Sequence, residues 1–212
     1  MIEEVVVIVI TADQVNSRQS ADEAGPTIEL INTRWRDDLV LPAERTAGDE
    51  IQLVTAMSSA ALAIVLELTR SEQWSVGVGV GTVREPLGTH ARESTGPAFI
   101  AARTAVDRAK KSPTHCAVAA DPQHPLAADA SALTDLLLII RGRRSPEGWE
   151  LYDLLQSGLS QRDAAAALGI SPQSVSQRAQ VAHLRAETSA TVAIANVLDN
   201  LVAEVAHGED AQ

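Results

Sequence analysis

The sequence predicts an α+β fold followed by an all-α unit, and three observations carry that reading. A β-branched run, Val5–Ile10, has no helical period and is too short for anything but a buried strand. After it, strand-like and helix-like segments alternate as far as Arg141, in the order strand, helix, hairpin, helix, strand, helix, strand. From Ser145 onward the periodicity is helical throughout, punctuated by Ser caps and by Gly158 and Gly169. The expected domains are an α+β body over residues 1–142, a helical unit over 145–186 and an amphipathic C-terminal helix over 187–207.

Each element has its own warrant. Residues 3–11 form the first strand. A helix is expected from Thr27, as N-cap, to about Asp38. Residues 39–47 and 51–55 read as two strands around the tip Gly48-Asp49-Glu50. Ser58–Thr69 is rich in Ala and Leu and reads as a helix. In Trp74–Thr82 the glycines fall at alternate positions, so they share one face of a strand, where a helix or ligand can approach the backbone closely. Residues 84–97 read as a loop, Ala98–Lys111 as a helix, Cys116–Ala120 as a strand and Ala128–Arg141 as a helix. This order suits helices packed on one face of a mainly antiparallel sheet, with a domain boundary at residues 141–148.

Composition bounds the function. Of 212 residues, 45% are hydrophobic and 21% charged, an ordinary globular balance, while aromatics are only 2%, so the core must be aliphatic. One cysteine, Cys116, excludes an internal disulfide and reads as a small buried hydrophobe. The N-terminus lacks the basic flank of a signal peptide, and no apolar run approaches membrane-span length, which predicts a cytoplasmic chain without a membrane partner. The net charge of −11 is unevenly spread. Residues 1–140 carry 19 acids against 11 bases, and 186–212 carry five acids and no base. Residues 141–185 carry six arginines against four acids. The one basic stretch coincides with the helical unit.

That unit has the signature of a helix-turn-helix. A first helix runs from about Glu147 to Gln156. Ser160 caps a second, Gln161–Leu168, with Asp163 at capping-box spacing, and Gly169 stops it in the left-handed region. Ser171 caps a third helix with Pro172 at its first position. Leu159, Ala165 and Val175 fall at packing positions. Gln173, Ser174, Gln177 and Arg178 then lie where a recognition helix meets base edges, Gln pairing with adenine and Arg with guanine. Ser171 and Ser174 can serve phosphates, and Arg162 adds positive charge on the preceding helix. The expected partner is double-stranded DNA, read as a homodimer. In the last helix Ile194, Val197, Leu198, Leu201, Val202 and Val205 form an apolar stripe, suited to dimerisation or to covering the preceding three helices.

Three segments of the first domain carry a resemblance: Thr11-Ala-Asp-Gln-Val-Asn-Ser-Arg18 after the first strand, Arg45-Thr-Ala-Gly-Asp-Glu50 at the hairpin, and Gly77-Val-Gly-Val-Gly81 ahead of Gly96-Pro-Ala-Phe-Ile-Ala-Ala-Arg103. Together they resemble the SatD family and, more distantly, the palm of class III nucleotide cyclases and diguanylate cyclases. The resemblance covers about residues 3–140 and implies a ferredoxin-like sandwich. It places Asp13 and Asp49 where cyclases hold two metal ions, with Glu50 close by, so magnesium is the implied cofactor. It places Arg103 where cyclases act on the substrate, and Arg45 where they select the purine. Phe99 stands where cyclases have a catalytic Asn, so the chain is expected to bind rather than turn over a nucleotide. The bland alternative makes Asp13 and Asp49 turn residues that cap backbone amides.

Other chemistries lack their motifs. Gly77–Gly81 is not followed by the Gly-Lys-Ser/Thr of a phosphate loop, the five histidines show no zinc spacing, and no Ser or Cys nucleophile motif is present. The expected function is a DNA-binding transcription regulator with a cyclase-like sensor or dimerisation domain, open to a nucleotide or other small effector. The alternatives are a magnesium-dependent nucleotidyl cyclase-like enzyme and a protein-interaction module that does not bind DNA.

Overall fold

The computed structural model describes residues 4–17, 21–46, 48–84, 88, 90, 91 and 94–209. Arg18 and parts of the 84–97 segment lie outside them. Five strands form one sheet in the order β2-β3-β1-β4-β5. These are β1 (Glu4–Gln14), β2 (Leu39–Arg45), β3 (Glu50–Thr55), β4 (Trp74–Arg84) and β5 (Cys116–Asp121). The β1/β3, β1/β4 and β2/β3 pairs are antiparallel and β4/β5 is parallel. With α1 (Ala24–Arg34) between β1 and β2, and α2 (Ser58–Leu68) between β3 and β4, the first four strands make the ferredoxin-like split βαβ arrangement. The parallel fifth strand needs a crossover. Helix α3 (Pro97–Ala109) provides it, and α4 (Pro125–Gly142) follows β5.

The expectation that all helices share one face is corrected by α3. Gly77 and Gly79 turn toward it, and a Cβ placed on Gly79 would lie 2.1 Å from the Ala102 amide nitrogen. Helix and strand backbones therefore touch, which only the missing side chains permit. Small residues continue the theme, with Ala101, Ala105 and Ala109 packed on Ala117 and Ala119. The opposite face carries Ile8, Ile10, Val76, Val78 and Val80, buried beneath α1, α2 and α4. Aliphatic packing on both faces is what a chain so poor in aromatic residues can build.

Three short helices follow: α5 (Pro146–Gln156), α6 (Gln161–Leu168) and α7 (Pro172–Val181). Their own small core consists of Leu151, Ala164, Ala165 and Val175, with Leu154, Leu168 and Ala179 packed around it. The 26-residue α8 (Leu184–Glu209) then returns to the sheet body. Its Ile194, Leu198, Leu201 and Val205 are buried in the main core with residues of α2 and α4. The stripe thus covers the sheet body of its own chain. By length and composition α8 is apolar enough to cross a membrane, contrary to the sequence expectation, although buried core helices pass the same test.

Candidate functional sites

The resemblance directs attention to the end of the β1–β3 pair. Asp13 stands directly opposite Glu50 in the register, so both carboxylates project from the α3 face. Like charges across a strand pair repel. Helix α3 answers them: Lys110 Nζ donates to Asp13 Oδ2 at 2.7 Å, and Arg103 Nη1 donates to Glu50 Oε2. Thr46 Oγ1 donates to the other Glu50 oxygen at 2.8 Å, and Arg103 also stands 4.0 Å from Asp107, one turn along the helix. The acid that faces Asp13 is therefore Glu50. Asp49 is half-buried at the hairpin tip.

Arg45 points elsewhere. Its Nη2 donates to both Asp22 oxygens at 2.7 Å and its Nη1 to the Gly48 carbonyl at 3.0 Å. The Arg45 hydrogen bonds, joined by one from the Ala24 amide, hold the Asp22 carboxyl below its usual range. Phe99 is half-buried against Val7, Val9 and Ala102. Asp13 and Glu50 are thus committed to cations of α3, and among the described residues no three acidic, histidine or cysteine side chains are grouped to hold a metal. This arrangement does not fit a two-carboxylate magnesium site. Lys110 escaped the sequence reading, although Arg103, Asp107 and Lys110 recur at four and three residues on one face of α3.

The helical unit is built as its caps require. The Ser145, Ser160 and Ser171 side chains accept from the amides of Gly148, Asp163 and Ser174, three residues on. Ser160 Oγ also donates to Asp163 Oδ2 at 2.7 Å, completing the capping interaction with Asp in the usual Glu position. Gly169, at φ 64°, ends α6 in the left-handed region, and the Ile170 amide returns to the Ala165 carbonyl at 3.1 Å. Val175 is then buried while Ser171, Gln173, Ser174 and Gln177 are exposed on α7. Arg162 is exposed on α6. Arg178 differs from the expectation: it is only 24% exposed and donates to Glu150 Oε2 at 3.2 Å, tying α7 to α5 rather than facing outward.

A charged joint connects this unit to the sheet body. Glu187 of α8 accepts from Arg141 at the end of α4 and from Arg144 in the segment that follows. Arg141 Nη2 also donates to the Leu66 carbonyl at 3.0 Å, and Arg144 Nε to the Ala182 carbonyl at 3.2 Å. The Trp149 ring of α5 lies 4.3 Å from the Arg144 guanidinium, 4.8 Å from that of Arg141 and 4.4 Å from that of Arg70. Arg70 donates twice to Asp153 at 2.7 and 2.8 Å, which raises the Arg70 pKa above its ordinary value. Sequence reading missed this cluster because its members come from five separate stretches of the chain.

No protein-family model and no curated protein matches the chain. Solved structures give weaker likenesses. A bacterial light-regulated adenylyl cyclase is 15% identical over 56% of this chain and 44% of its own, with a TM-score of 0.39. An adenylate/guanylate cyclase/hydrolase from Silicibacter pomeroyi is 18% identical over 48% of this chain and 69% of its own, at 0.33. A regulator of polyketide synthase expression from Bifidobacterium adolescentis is 15% identical over 93% of this chain and 82% of its own, at 0.31. The chain thus spans less than half the length of the first of these.

Proposed function

We propose that the chain is a DNA-binding transcription regulator, in which α6 and α7 form the helix-turn-helix and the SatD-like sheet body serves as a sensor or dimerisation domain. One observation carries the reading: α7 buries Val175 against its neighbours and turns Ser171, Gln173, Ser174 and Gln177 outward at its N-terminal half. A recognition helix needs that division, with amide side chains for base edges and hydroxyls and backbone N–H groups for phosphates. The pairing of Arg178 with Glu150 moves base reading onto the two glutamines. A second copy supplies the second half-site of a palindromic operator. The magnesium–nucleotide reading has no comparable support, because Asp13 and Glu50 already face Lys110 and Arg103.

The test is a gel shift with DNA from around the protein's own gene, in moderate salt and excess competitor. Specific binding is expected. Replacing Gln173 and Gln177 by Ala removes contacts worth about 1–3 kcal/mol each, so affinity falls roughly tenfold or more per site while circular dichroism is unchanged. Binding that is indifferent to both substitutions, or no binding in any salt, would leave the helical unit as a protein-interaction module.

A further inference from the structure

Helix α4 lies over β5, at the rim of the sheet, and its two faces are both apolar. The inner face buries Ala130, Thr134, Leu137 and Leu138. The outer face leaves Leu133, Leu136 and Ile139 at 40, 57 and 45% exposure, bounded by exposed Asp129 and Arg143. Apolar residues scattered singly on a surface need no explanation, but a contiguous row rimmed by charge marks an interaction face. The free edge of β5 beside it is closed at Val118, whose amide donates to Ser131 Oγ at 3.2 Å and whose carbonyl accepts from Arg108 Nη1 at 3.3 Å. The surface on offer there is the helix rather than the strand.

This row reads the same in both directions. From Asp129 the steps to Leu133, Leu136, Ile139 and Arg143 are four, three, three and four residues, which keeps all five on one side of the helix. In a two-fold pairing residue i meets j and j meets i. With a second α4 laid antiparallel about an axis at Leu136, Leu136 meets its own copy, Leu133 meets Ile139 and Asp129 meets Arg143, the last two contacts occurring twice. A parallel copy would set Asp129 on Asp129 and Arg143 on Arg143. Among the described residues neither charge has an ion-pair partner within its own chain, so both are open to a second copy.

We propose that α4 is a homodimerisation face, on which a second copy of this chain packs its own α4 antiparallel about Leu136, held at each end by an Asp129–Arg143 pair. The dimer stands on this face alone; only its bearing on DNA rests on the regulator reading, for which it supplies the second half-site reader. One pair of helices makes a small interface, of the size that transient complexes bury. Association at micromolar concentration is expected, and two half-sites on one DNA raise it through effective concentration.

The experiment is sedimentation equilibrium of the full chain over a range of concentrations, with circular dichroism of each variant. The native chain is expected to approach twice its monomer mass at high micromolar concentration. Leu136→Glu sets two carboxylates on the axis and weakens association about a hundredfold. Asp129→Arg and Arg143→Asp each set like charges opposite one another at both ends and weaken it about tenfold. Mixed in equal amounts, those two variants regain opposite charges at both ends and associate again. Val192→Glu, at an exposed position on α8, leaves the mass unchanged. A native chain that stays monomeric, a dimer that survives Leu136→Glu, or a mixture that fails to regain association would overturn the proposal. If the dimer forms but no DNA binds, the regulator reading fails and the face stands. If DNA binds while the free chain stays monomeric at every concentration, the face alone fails.

Discussion

At Gly79 the distance to Ala102 leaves no room for even a methyl group. Gly79→Ala must push α3 off the sheet, because the clashing atoms are backbone. We expect a loss of about 3 kcal/mol or failure to fold, measured by urea denaturation. Burial in the main core pushes the Cys116 thiol up from 9.0 to about 12. Between those values the unfolded thiol is ionised while the folded one keeps its proton, so the folded state loses about tenfold in its equilibrium per pH unit. Urea titrations from pH 9 upward should show this slope in the native protein and not in Cys116→Ala. The alternate glycines were legible as a close-approach face because a strand has period two. Which acid of the hairpin faces Asp13 was not, since a one-residue difference in where pairing begins exchanges tip for sheet face.

At the scale of elements, the Ser-x-x-Asp and Ser-Pro signals placed the starts of α6 and α7 correctly because capping is local chemistry, whereas the third helix, expected to reach about Arg185, ends at Val181. Ser160→Ala removes both the amide acceptor and the partner of Asp163, and is expected to cost about 1 kcal/mol by denaturant unfolding, with α7 unaffected. Helix α1 shows where local signals mislead. Thr27 reads as an N-cap, yet the helix begins at Ala24, with Asp22 accepting from the Ala24 amide at 3.1 Å. Proline is harmless in a first turn, where its missing N–H has no intrahelical role. The far end also differs: Arg36–Asp38 leave α1 as a separate 3-10 turn after Trp35.

For the whole molecule, Glu187 is the acid that binds α4 and the segment after it to α8. Glu187→Ala leaves two buried guanidiniums facing each other, and is expected to cost about 3–5 kcal/mol in thermal or urea unfolding. The apolar stripe of α8 was plain in the sequence, but periodicity names a face and not what covers it. Covering the sheet body is a long-range choice, settled by the uncovered surfaces of α2 and α4. The joint around Trp149 was invisible for the same reason: Arg70, Arg141, Arg144 and Glu187 look like unrelated surface charges until the chain returns on itself.

That return has a consequence for the order in which the protein is made. On the ribosome, residues of the sheet body emerge well before α8, and domains ordinarily begin to fold as they appear. Here the main core lacks Ile194, Leu198, Leu201 and Val205 until the three short helices have been synthesised, some seconds later. The nascent body waits with an open aliphatic flank, and the helical unit is already in place when that flank closes.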